Sequence, residues 1–314
     1  MSSDTKGALL DVVKGGVVSV ALFAAFLNLP VIGLPAAALT PFPALYFGLK
    51  RGNRAGIGLV LLAAVLVALA GGPEASVLYL GQSALLALAL GWGVARGYSA
   101  SRSIATAVLV TLGLAAAAAA VYSVASGVDL HERVVAGIRE SISQALSLYE
   151  KRGIKGDELK PFRDALEQGG EVLSRLYPAL LLIGQSIVAG INVMLLRRFA
   201  NRLPAPIRIA PFNSFRNPDY LVWVAIAVGF SLLIDNNVVN AAALNVATVA
   251  GFLYFLQGLA IVRHYFETYS VPALLRYLFY AMLVMQAYLA IAVALLGLFD
   301  LWADFRRPRK PKNL

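Results

Sequence analysis

Six carboxamide side chains lie inside stretches of otherwise apolar sequence: Gln82, Gln185, Asn192, Asn245, Gln257 and Gln286. Each carries two N–H donors and one acceptor oxygen without net charge. An amide turned unpaired toward hydrocarbon is costly, so each must face the interior of a helix assembly. Two chemistries are open to them. One is hydrogen bonding between helices, worth about 1 kcal/mol or less per bond. The other is a pocket for a small, partly polar organic solute, which needs only a cavity and a few convergent polar groups. The candidate substrate-binding residues are Gln82, Asn192, Asn245 and Gln257. The absence of an ionisable group among them suits a neutral or zwitterionic ligand. Asn245 and Gln257 are twelve residues apart on one expected helix, so they do not serve each other. Gly81-Gln82-Ser83 and Gly184-Gln185-Ser186 repeat a tripeptide, which composition alone produces in so biased a chain.

Other chemistries lack their residues. The chain has no Cys and only two His, at 131 and 264. Disulfides, thiolate zinc sites and a His-built metal centre are therefore not expected. There is no His-Glu-x-x-His, Gly-x-Ser-x-Gly, Walker or Rossmann glycine pattern. No catalytic residue, cofactor or metal is expected, and the chain does not read as an enzyme. Without a nucleotide site it cannot energise transport alone. The net charge of +10 does not point to nucleic acid, because the cations cluster at segment ends: Lys50, Arg51 and Arg54; Arg96 and Arg102; Arg197, Arg198 and Arg202; then Arg306, Arg307, Arg309, Lys310 and Lys312. That is the placement of anchors in a bilayer with anionic head groups.

The elements that must hold the amides are membrane helices. Hydrophobic residues make up 59% of the 314 and charged residues 14%, against about 25% charged in a soluble domain. Val17–Asn28, Ile57–Ala70, Val77–Ala95, Ile104–Ala125, Ala179–Leu196, Leu221–Ile234, Ala241–Val262 and Leu278–Leu298 contain no Asp, Glu, Lys or Arg. Most approach the length of a bilayer-crossing helix. The expected fold is an all-α polytopic membrane helix bundle of about eight to nine apolar segments with an extramembrane helical-hairpin insert. The divisions are 1–126 for N-terminal membrane helices, 127–175 for the insert, 176–305 for C-terminal membrane helices and 306–314 for a basic tail.

Pro30, Pro35, Pro41 and Pro43 break the first apolar block. The block reads as one span followed by a short or partly unwound second pass, or as a plain turn at Pro30. Its length and the missing cleavage site favour a retained helix over a signal peptide. The insert holds 8 Lys or Arg and 9 Asp or Glu, a net of −1 against +11 elsewhere. Asp129-x-x-Glu132 is a capping box, and Leu130, Val134, Ile138, Ile142 and Leu146 form one helical stripe. Asp157 is placed to cap a second helix. The hairpin is open to reading as self-packed or dimer-forming, or as a lid. Charge bias puts the N-terminus and 197–218 in the cytoplasm and the insert outside.

The chain resembles the YybS-like family of multi-pass bacterial membrane proteins. The resemblance is carried by Phe47-Gly48-Leu49-Lys50-Arg51-Gly52, the insert after the fifth span, the Pro204–Pro218 segment before Tyr220-Leu221-Val222-Trp223, Leu256-Gln257-Gly258, and Leu296-Gly297-x-x-Asp300-x-x-x-Asp304-Phe305-Arg306. The first half also resembles the six-helix S components of energy-coupling-factor vitamin transporters, through Pro43-Ala44-Leu45 and the Phe47–Gly52 segment. The resemblance implies that Ala21 and Ala25 form a small-residue face packing on a coupling partner. The chain's eight or nine segments and its insert exceed a bare S component.

The expected function is thus binding or translocation of a small polar solute, in the manner of a transporter's substrate-binding subunit, in a bacterial inner membrane. The alternative is a structural or regulatory membrane protein acting through partner contacts of 127–175. Expected partners are the lipid bilayer, a membrane protein or a second copy of the chain, and a small-molecule ligand, but no nucleic acid.

Overall fold

In the computed structural model, residues 3–29, 33–153, 156–207 and 209–306 are described, and every regular element among them is helical. The expected segment at Pro30 and the tail beyond Arg306 lie outside the described residues. The chain divides into two compact units, Met1–Val128 with Gly184–Ile209, and Asp129–Ile183 with Ala210–Leu314.

In the first unit, α1 (Ser3–Asn28) is followed by two short helices, α2 (Gly33–Leu39) and α3 (Phe42–Arg51). Three contacts fix their direction. Gly33 lies against the backbone of Ala25 and Phe26. Ser19 Oγ donates to the Thr40 carbonyl at 3.1 Å. Asp11 accepts from Lys50 Nζ at 3.0 Å and Arg51 Nε at 2.8 Å. As α1 descends in number, α2 and α3 ascend, so the pair is a broken second pass antiparallel to α1.

Residues Asn53–Ala95 form 43 residues of apolar helix, made of α4 (Asn53–Tyr79), a π-helical turn (Leu80–Ala84) and α5 (Leu85–Ala95). Straight, it would run about 65 Å, twice a hydrocarbon core. It reverses instead. Gly72 adopts φ 83°, a conformation open mainly to glycine, just before Pro73. Ser76 Oγ donates to the Ala64 carbonyl at 2.9 Å, groups that a straight helix would hold about 18 Å apart. This stretch therefore makes two passes. α6 (Ala100–Ser126) follows, with Ser99 capping it through Arg102 N–H. The end of α8 (Lys160–Arg198) completes the unit. Leu59, Ala63, Leu86, Leu90 and Ala107 are fully buried in its core.

In the second unit, α7 (Leu130–Lys151) begins at Asp129, whose carboxylate accepts from the N–H groups of His131 and Glu132. The expected capping box thus holds at its N-cap. Asp157 differs from expectation: it sits in a 3₁₀ turn and pairs with Lys160 at 2.7 Å. α7 and the first half of α8 run antiparallel, with Tyr149 stacked on Phe162, Ile142 facing Gly170, and His131 Nδ1 3.3 Å from the Tyr177 hydroxyl. They are the expected helical hairpin.

The rest is α9 (Leu221–Ser231), α10 (Asn237–Thr268), α11 (Ala273–Met285) and α12 (Ala287–Ala303). α10 and α12 cross at Gly258 and Gly297. A methyl on either would collide with a backbone carbonyl, of Val293 or Tyr254.

The apolar segments do not all become simple spans. Among the described residues five helical stretches are long and apolar enough to cross a membrane, and six if α11 and α12, bent by 107°, count as one. α9 has only 11 residues. Leu69, Val124 and Val284 are 80%, 87% and 88% exposed, as side chains solvated by lipid are.

Candidate functional site

Three of the amides, Gln185, Asn192 and Asn245, are placed at faults in the helices. A chain inside hydrocarbon must satisfy each backbone polar group internally. A break, a π turn and a proline each free a carbonyl or an N–H.

The first fault is the join of α2 and α3. The Ala36 carbonyl accepts from Thr40 Oγ1 at 2.9 Å, and the Thr40 carbonyl from Ser19. The Ala38 carbonyl accepts from Asn192 Nδ2 at 2.8 Å, and the same nitrogen reaches Val188 O at 2.8 Å on its own helix. Asn192 is completely buried.

The second fault is the π turn. Gln185 Nε2 donates to the Gln82 carbonyl at 3.2 Å. The two Gly-Gln-Ser tripeptides therefore meet in space. Gln82 contributes its backbone, and its half-buried side chain lines neither cavity described below.

The third fault is Pro178 inside α8. Asn245 Oδ1 accepts from Ala179 N–H at 2.9 Å, and its Nδ2 donates to Arg175 O at 2.8 Å. These are the two groups that an uninterrupted helix bonds to each other. The carboxamide of Asn245 is spliced across the turn that Pro178 disturbs.

Gln257 belongs to a different arrangement. Its Nε2 donates to Asp300 Oδ2 at 2.9 Å and its Oε1 accepts from Asn217 N–H at 3.0 Å. Asp300 is wholly buried and also accepts from Arg306 at 2.8 Å and from Phe305 N–H at 3.0 Å. Arg306 donates onward to the carbonyls of Asn213 and Phe215. Asn217 Nδ2 closes on Leu253 O at 2.8 Å. The network ties α10 and α12 to the segment before α9. Sequence reasoning singled out Gln257 but missed Asp300 and Arg306. The available signal was a lone acid in an apolar helix with an arginine six residues on, since an intramembrane charge needs a partner.

Gln82 and Asn192 belong to the first unit, Asn245 and Gln257 to the second. Two cavities are seen elsewhere. One, of about 650 Å³, runs along the hairpin between α7 and α8; the other, of about 330 Å³, lies beside the ends of α3 and α5 in the first unit. None of the four residues lines either. Among the described residues of the first unit, the buried side-chain atoms without a partner are Gln185 Oε1, Asn192 Oδ1, Ser103 Oγ and Thr111 Oγ1. Of the alanines on α1, Ala21 is exposed and Ala25 half-buried, its carbonyl accepting from Leu29 N–H. Among the described residues no group of three or more His, Cys, Asp or Glu is arranged to hold a metal.

The family model described as "Predicted membrane protein (DUF2232)" matches residues 17–301. The chain belongs to this family. It is also similar to "Uncharacterized protein YybS" of Bacillus subtilis (strain 168), at 22% identity over 310 residues, covering 94% of this chain and 97% of that protein. The expected YybS-like resemblance is thereby shown. No solved structure matches. As a member of this family the chain is a multi-pass helical membrane protein in contact with lipid.

Proposed function

We propose that this is a non-enzymatic protein of the bacterial inner membrane that acts by binding a partner protein through its helical hairpin. The observation carrying the reading is the hairpin groove. Its floor is Val135, Ile138, Ile142 and Leu146, and its rims carry Arg139, Glu150, Arg163, Glu167 and Glu171. No residue of the 22 in α7 is buried. Two amphipathic helices alone bury too little apolar surface to offset the entropy of ordering them. An apolar floor with mixed-charge rims suits a third helix laid along it.

A photo-crosslinking side chain at Ser143, which lines the groove, tests this in intact cells. A discrete protein adduct is expected from Ser143 and not from Ser141, which lies off the groove. No adduct from Ser143, or equal adducts from both, would overturn it. An adduct of twice the chain mass would identify the partner as a second copy.

A second reading is supported by the first unit. Its passes number six when the end of α8 is included, as the S-component resemblance implies. Gln185 Oε1 and Asn192 Oδ1 are buried acceptors without a donor, available to a small polar solute. Transport would then need an energised partner. Native mass spectrometry should detect a co-purified small molecule that Asn192→Leu loses, and an empty wild-type protein counts against this reading.

A further inference from the structure

The cavity of about 330 Å³ in the first unit is lined by Leu49, Val94, Ala95, Gly97, Tyr98, Leu203, Ala205, Pro206, Ile207 and Ile209. Its lining side chains are apolar except for the Tyr98 hydroxyl. Its surroundings are not. Arg96 sits between two lining residues, Arg102 lies 4.2 Å over the ring of Tyr98, and Arg202 precedes Leu203. Residues 94–102 and 197–209 contain six arginines and no acid.

Arg96 and Arg202 are also held against aromatic rings, 5.0 Å from Trp92 and 5.2 Å from Phe199. A guanidinium on a ring face is fixed in place but keeps its in-plane N–H donors. Among the described residues no ion pair engages Arg96, Arg102 or Arg202, and all three are exposed. Lys50 and Arg51 differ, because both are spent on Asp11. Trp and Tyr beside arginines mark the head-group level of a bilayer.

We infer that this slot binds one anionic phospholipid, an acyl chain entering the apolar cavity and the head-group phosphate taken by Arg96, Arg102 and Arg202. Phosphate is the geometric partner of guanidinium. A slot lined mainly by apolar side chains beside arginines without an ion pair fits neither a neutral lipid nor a free polar solute as well. A volume near the bottom of the usual ligand range admits part of a chain, not a bulky ring system.

The test is native mass spectrometry of the delipidated full chain, titrated separately with phosphatidylglycerol, phosphatidylcholine and inorganic phosphate. Phosphatidylglycerol is expected to bind at least tenfold tighter than phosphatidylcholine, with inorganic phosphate failing to displace it. Arg96→Gln with Arg102→Gln should abolish the preference, while Arg102→Lys should keep most of it. Ala205→Phe, which fills the slot from an exposed position, should weaken both lipids. Circular dichroism confirms that the variants fold. Equal affinity for the two lipids, an unchanged preference in the double variant, or full displacement by inorganic phosphate would each overturn the assignment, the last in favour of a free-anion site.

Discussion

The polar cluster around Asp300 and the amides of the first unit solve the same problem differently. Around Asp300 both carboxylate oxygens, both ends of Gln257 and the guanidinium of Arg306 all have partners. At the α2–α3 break and the π turn, Asn192 and Gln185 spend their nitrogens on freed carbonyls and leave their oxygens unpaired. In the closed cluster each of these groups already has a partner, and the cluster acts as a lock. The half-paired amides repair backbone and retain acceptors. Burial of a polar residue therefore does not by itself mark a binding site.

The sharpest way to break this contrast is Asp300→Ala. It strands Arg306, only 14% exposed, without its anion, and should destabilise by about 3–5 kcal/mol. Reversible unfolding in mixed micelles measures it. A loss under about 1 kcal/mol would mean the cluster is not a lock.

Gly258→Ala comes next. The added methyl must move α12, because it meets the Val293 carbonyl, and a loss of about 1–3 kcal/mol is expected. The same assay should show Gly251→Ala nearly neutral, since nothing stands within 4 Å of that position.

Asn245→Ala should cost about 1 kcal/mol. The loss should shrink in a Pro178→Ala background, where the helix can close its own bonds. A double-mutant cycle reads the coupling. Full additivity would show that Asn245 does not serve the proline turn.

Asn192→Leu should be the mildest, within about 0.6 kcal/mol. The lost bond to Ala38 is offset by relief of the unpaired oxygen. A cost above about 2 kcal/mol would reveal a bound partner for Oδ1 and would favour the solute reading.

The legible part of the molecule was whatever depends on one residue and its near neighbours. The charge-free runs, the cap at Asp129 and the stripe along α7 report solvent preference and local backbone geometry. The Pro-broken block was legible as a short second pass or a plain turn, and the choice between them depends on Ser19 meeting Thr40 and Asp11 meeting Lys50 and Arg51. The reversal at Gly72 was half visible. Gly71-Gly72-Pro73 interrupts an apolar run, yet only a contact between Ser76 and Ala64 shows that the chain returns. Five of the six amides are buried or half-buried and Gln286 is exposed; the partners of the inner ones were not foreseeable. Three of them answer backbone groups in another helix, 66, 103 and 154 residues away.

By itself, the sequence determined the solvent of this protein, its helical class and the interior placement of five of the six amides, because hydrocarbon disfavours an unpaired amide; Gln286, at the bend between α11 and α12, is exposed. The tertiary structure alone decided what those amides do. A carboxamide is equally able to bind a solute or to mend a helix, and the choice falls to whichever unpaired group the fold brings within about 3 Å of it.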